Sequence, residues 1–138
     1  MIKLFLNVAA LCVVSLSCFG QERLTIVAGN LKSNSGKAVV NLFRQQDDIP
    51  EKPFRTGTAK IVNGQAIIGF ENLPIGYYAA ILFHDENSND VVDHRFGFPN
   101  EPMGFSNNWR LSLFSGMPTF EKLKFEFRES GSYAIMIR

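Results

Sequence analysis

The sequence predicts an all-β domain, a seven-stranded antiparallel β-sandwich of immunoglobulin-like or prealbumin-like type. Three observations predict it. Helical periodicity is poor throughout, period-two alternation and β-branched or aromatic runs recur, and turn residues separate those runs at short intervals. With 138 residues, 46% of them hydrophobic and 20% charged, the chain has the size and composition of one globular domain.

Taken in order, 24–28 forms a first strand and 37–44 a second, parted by the turn-rich Lys32-Ser33-Asn34-Ser35-Gly36. Segments 56–62 and 65–71 form a hairpin around Asn63-Gly64, because a type I′ turn needs positive φ at both central residues and Asn-Gly tolerates that best. After the Leu73-Pro74-Ile75-Gly76 turn, 77–84 is apolar on both faces, as suits a central strand. Near the end, Leu123, Phe125 and Phe127 alternate with charged residues over 122–128. Segment 132–137 puts Tyr133, Ile135 and Ile137 on one side.

The first twenty residues read as a secretory signal peptide, with 21–138 as the single mature domain. Lys3 precedes an apolar stretch from Leu4 to Leu16, then small residues up to Gly20, and the stretch is too short for a spanning helix. The expected location is the periplasm or the exterior, with no transmembrane span after cleavage. Cys18 raises a lipid anchor as the lesser alternative, since Ser15 stands where lipoprotein processing prefers a Leu-like residue. Both cysteines, Cys12 and Cys18, lie in this segment, so the mature chain has no disulfide, thiolate nucleophile or cysteine metal site. Without Lys3 the basic and acidic residues balance, which gives no support to steering toward nucleic acid or an anionic membrane.

Segment 85–119 breaks the strand pattern. Long structureless loops are uncommon in compact domains, and Phe96, Phe98, Phe105, Trp109, Leu111, Leu113 and Phe114 supply too much apolar surface for disorder. The expectation is an ordered cover over the strands. Its start offers side-chain oxygens at Asp85, Asn87, Asn89 and Asp93, with Val91 placed to offer its carbonyl. Calcium takes about 6–8 oxygen ligands, and alternating Asp and Asn let a tight loop converge on one ion. Asp90 stands where an EF-hand loop has Gly and Phe96 where it has Glu, so Glu86, Glu101 or water would complete the shell. The competing reading is an Asx-rich turn bonded to its own backbone.

Farther on, Phe98, Phe105 and Trp109 beside Asn107 and Asn108 suit a carbohydrate or extended peptide, because flat rings stack while amides read hydroxyls or backbone. No catalytic residue is assigned. The alternative is a metal-dependent hydrolase using His84, His94 and the carboxylates of Asp85 and Asp93, although HExxH and Gly-x-Ser-x-Gly contexts are both lacking.

Val40-Asn41-Leu42-Phe43, the run Phe70-Glu71-Asn72-Leu73-Pro74-Ile75-Gly76-Tyr77-Tyr78-Ala79, His84-Asp85-Glu86-Asn87 and Gly104-Phe105-Ser106-Asn107-Asn108 occur in that order. Together they resemble the exported bacterial family catalogued as domain of unknown function 2141. The resemblance implies export and a two-layer β fold. It implies no activity. Where members often carry Gly, this chain has Ser88 and Asp90.

Overall fold

In β1 (Leu24–Gly29), Leu24, Ile26 and Ala28 are buried while Thr25 and Val27 are half-buried, the alternation of a strand with one face on a core. The computed structural model describes residues 22–138; the segment expected to be a signal peptide and both cysteines lie outside them. β1 is the middle strand of a three-stranded sheet. It runs antiparallel to β4 (Ala66–Phe70), with Ile26 opposite Ile68, and parallel to β10 (Gly131–Met136), with Ile26 opposite Tyr133.

The parallel pair corrects the expectation of wholly antiparallel pairing. Parallel neighbours need a long crossover, and here the chain from β2 to β9 serves as one.

The second sheet has five strands. β2 (Lys37–Phe43) lies between β3 (Arg55–Lys60) and β5 (Gly76–Asp85), and β8 (Met103–Phe105) flanks β5 on its far side. β9 (Phe125–Phe127) pairs with the first residues of β5. A strand falls within each of the seven expected segments, as β1 to β5, β9 and β10, but the described residues hold ten strands in all. The other three, β8 and the two-residue β6 (His94–Arg95) and β7 (Phe98–Pro99), arise within 85–119.

Asn63 and Gly64 have φ of 51° and 73°, both positive as a type I′ turn requires. Beyond the bridge between Val62 and Gln65 the arms separate, β3 joining β2 and β4 joining β1. The expected hairpin is therefore a corner between two sheets. At Gly57 a Cβ would stand 2.5 Å from Ile68 Cγ2, so the arms still cross closely.

The main core draws on both sheets: Ile26, Ile68 and Phe70 from one, Val40, Leu42, Tyr78 and Leu82 from the other. A second cluster of Phe43, Ala79, Ile81, Phe105 and Leu123, with Trp109 and Phe120 against it, includes the intervening residues of β5. β5 is thus buried on both faces, which explains its unbroken apolar run. The strand expected over 122–128 begins at Phe125, because a helical turn, α1 (Phe120–Leu123), delivers Leu123 to the second cluster.

The cover is ordered but only partly apolar inward. Phe105 is buried and Trp109 half-buried, whereas Phe96, Phe98, Leu111, Leu113 and Phe114 are exposed. Their expected packing is corrected: the second cluster is filled by α1 and residues 105–109, leaving these five outside. Among the described residues no helix is long and apolar enough to cross a membrane.

Candidate functional site

Asp85, the last residue of β5, is fully buried, and its carboxylate organises the loop that follows. Oδ1 accepts the Asn89 N–H at 3.0 Å and Oδ2 the Asp90 N–H at 2.9 Å. The Asn87 and Asn89 amide oxygens accept the N–H groups of Asn89 and Val91, each at 3.1 Å. Their Nδ2 groups donate to Asp93 at 2.6 and 3.0 Å. Asp85, Asn87, Asn89 and Asp93 thus form one connected cluster, and each amide oxygen keeps a second lone pair. The Val91 side chain is exposed.

The loop closes tightly because Ser88 and Asp90 take φ of 59° and 67°, the left-handed geometry that glycine adopts without strain. On the other side, Gly36 (φ 67°) presses the preceding turn onto β5, where any Cβ would collide with the Asp85 carbonyl oxygen.

Two charged residues from outside the loop face it. Lys37 Nζ donates to Asp90 Oδ1 at 2.5 Å and lies 3.8 Å from Asp85 Oδ2. The bond to Asp90 is the main reason that the ammonium holds its proton more tightly than an ordinary lysine. Glu101 is 7% exposed and accepts N–H groups from Glu86 at 3.2 Å and Asp93 at 3.5 Å. Burial pushes its carboxyl above the usual range, the two N–H donors pull it down, and Asp85 and Asp93 add to the rise. Lys37 carries no local sequence signal, since the fold brings it from the start of β2, whereas Glu101 is an acid that the sequence offers for completing the shell.

Among the described residues no three His, Cys, Asp or Glu side chains come together as a metal-holding group. The hydrolase constellation of His84, His94, Asp85 and Asp93 is therefore not assembled. His84 is fully buried, and its Nε2–H donates to the Ser35 carbonyl at 2.7 Å. His94 is exposed on β6. At the loop the amide nitrogens of Asn87 and Asn89 face Asp93, while their oxygens and those of Asp85 hold backbone N–H groups, as in an Asx-rich turn.

The residues expected to bind a ligand are dispersed. Phe105 packs edge-on against Trp109 with ring centroids 4.8 Å apart, and both line a groove of about 310 Å³ beside Arg110, Leu111, Met136 and Arg138. Asn107 is part of the scaffold, donating its side-chain amide to Lys122 O at 3.1 Å and its N–H to the Tyr133 hydroxyl at 2.8 Å. Asn108 Oδ1 accepts from Arg138 at 3.4 Å. Phe98 is exposed on β7.

Compared with known proteins, residues 26–137 match the family model described as "Uncharacterized protein conserved in bacteria (DUF2141)". No curated protein and no solved structure matches the chain.

Proposed function

Because this chain belongs to the DUF2141 family of bacterial proteins, whose description names no activity, we propose a function from the site alone. The protein is an exported, non-catalytic module with an immunoglobulin-like or prealbumin-like sandwich as scaffold. It binds through segment 85–119, and the 85–93 loop takes calcium. The observation that supports this reading is the buried Asp85 carboxylate, which holds the Asn89 and Asp90 N–H groups while the Asn87 and Asn89 amides bond Asp93 in the same loop. Two carboxylates, two amide oxygens and the Val91 carbonyl make a hard-oxygen donor set, with Glu101 adjacent to complete it. Such an ion would tie the end of β5 to the segment leading into β6.

A thermal melt with calcium against one with chelator tests the reading. Sites of this kind in exported modules bind at about 10⁻⁴–10⁻³ M, so roughly 10 mM calcium should stabilise the fold by about 1–3 kcal/mol. Asp85→Asn should abolish the gain. An unchanged midpoint removes the ion from the account.

A further inference from the structure

Lys37 opens β2 directly opposite Asp85, the last residue of β5. Paired residues on neighbouring strands direct their side chains to the same face. The register therefore sets an ammonium against the carboxylate that organises the loop. The turn ending at Gly36 lies against the Asp85 backbone, which fixes the start of β2 at that place. The lysine side chain is 24% exposed and spans two acids, with Nζ bonded to Asp90 Oδ1 and 3.8 Å from Asp85 Oδ2.

Charge around the loop is otherwise of one sign. Asp85, Glu86, Asp90 and Asp93 lie on it, and Glu101 bonds its backbone. Among the described residues Lys37 is the only lysine or arginine in ion-pair contact with any of these five. The His84 ring, with Nδ1 3.9 Å from Glu86 Oε1, belongs to the other face of β5. Asp85 is wholly buried, where a carboxylate without a counter-charge is strongly unfavourable. The loop thus holds a cation of its own.

That cation decides what calcium meets on entering. Calcium sits about 2.3–2.6 Å from its oxygens, so an ion held by Asp85 Oδ2 lies within about 6.4 Å of the ammonium, on whichever side of that oxygen it binds. Even at the dielectric constant of water, a divalent ion and an ammonium at that separation repel enough to lower affinity about tenfold. The lysine escapes only by leaving Asp90 and Asp85. We propose that Lys37 is a tethered counter-cation of the 85–93 loop, which calcium must displace from Asp85 and Asp90 in order to bind. Lysine then closes the loop where calcium is scarce, and sets the affinity of the site from outside its ligand set. This rests on calcium being the ligand of the loop.

Calorimetric titration with calcium, and melts in chelator, test the proposal on the parent, Lys37→Met and Lys37→Arg. Lys37→Met keeps the aliphatic stem and removes the charge. It should bind calcium with a Kd about tenfold below the parent's, and in chelator it should melt roughly 5 °C lower. Lys37→Arg keeps the charge and should hold the parent's Kd within about threefold. Mere loosening of the loop would weaken calcium binding, so a gain in affinity is specific to the removed charge. Should Lys37→Met melt without cooperativity, Lys37→Gln, which can still donate to Asp90, takes its place. Binding by Lys37→Met that equals or falls below the parent's overturns the proposal and leaves the calcium reading standing. An unchanged melt in chelator also overturns it. Binding by Lys37→Met with none by the parent supports the displacement and removes calcium from the native loop. Binding by neither overturns both.

Discussion

Ser106 stands at the junction of three elements, and its hydroxyl serves two of them. It donates to the Leu123 carbonyl at 2.5 Å and accepts the Ala80 N–H at 2.9 Å, from a side chain that is almost wholly buried. Ser106→Ala would leave a buried carbonyl and a buried N–H without partners, each without water to replace the bond. The expected loss is about 2 kcal/mol, measured as a fall in the urea midpoint at unchanged slope. Asp47 offers a pH-dependent counterpart. Arg44 Nε and an η nitrogen bond its carboxylate at 3.2 and 3.1 Å, and the Arg44 N–H does so at 2.7 Å. The guanidinium bonds, chiefly, hold the carboxyl below its ordinary value of 3.8. A depressed folded value means stability that is present above the unfolded value and lost as pH falls through the folded one. Asp47→Asn should therefore lower stability at neutral pH, with the gap to the parent closing in melts taken below about pH 4. At this scale the sequence is an uneven guide. The oxygens of Asp85, Asn87, Asn89 and Asp93 are legible as a cluster because local spacing sets them together. The fates of His84, Ser106 and Glu101 are not, because each is decided by a residue far along the chain: Ser35, Leu123 and Glu86.

Strands betray themselves by period or by an unbroken apolar run, which is why β1, β2, β10 and the doubly buried β5 lie within a residue or so of their expected places. Pairing is a different matter. Nothing local tells β10 to run parallel to β1, or tells the arms of the Asn63-Gly64 turn to join opposite sheets. A turn fixes geometry over four residues, and the wider choice belongs to whichever faces must be buried. β8 and β10 show how tightly those choices fit. They are edge strands of different sheets, and they meet where Gly104 passes the Met136 carbonyl. A Cβ at Gly104 would lie 2.6 Å from that oxygen and 3.0 Å from its carbon. Backbone cannot swing aside as a side chain can, so Gly104→Ala must part the two edges. The expected cost is about 1–3 kcal/mol, read from equilibrium unfolding. The Arg138 N–H bond to Met103 O, at 3.3 Å, should then exchange its hydrogen faster than in the parent.

Apolar content alone did not disclose which rings of segment 85–119 face inward. The number of phenylalanines is legible, but their direction depends on how much of the outer face of β5 remains open once α1 has docked. Leu123 and Phe120 take much of it, Phe105 and Trp109 the rest, and the remaining rings face water. The molecule thus has two apolar clusters that share β5, with Tyr78, Ala80 and Leu82 in one and Ala79 and Ile81 in the other. Peeling the cover away would expose Phe43, Ile81, Phe105 and Leu123, at about 1.5–3 kcal/mol for each large side chain. That is comparable with the ~5–15 kcal/mol that holds a domain of this size together. Little stability would remain for the stripped sheets, so the cover and the sheets should unfold as one. Trp109, the single tryptophan, lies on the cover and reports it, while far-ultraviolet circular dichroism reports the strands. In a urea titration the two signals should trace one transition with a common midpoint. A tryptophan change completed at lower urea than the loss of strand signal would make the cover a unit that opens by itself, and β5 would then owe its stability to the main core alone.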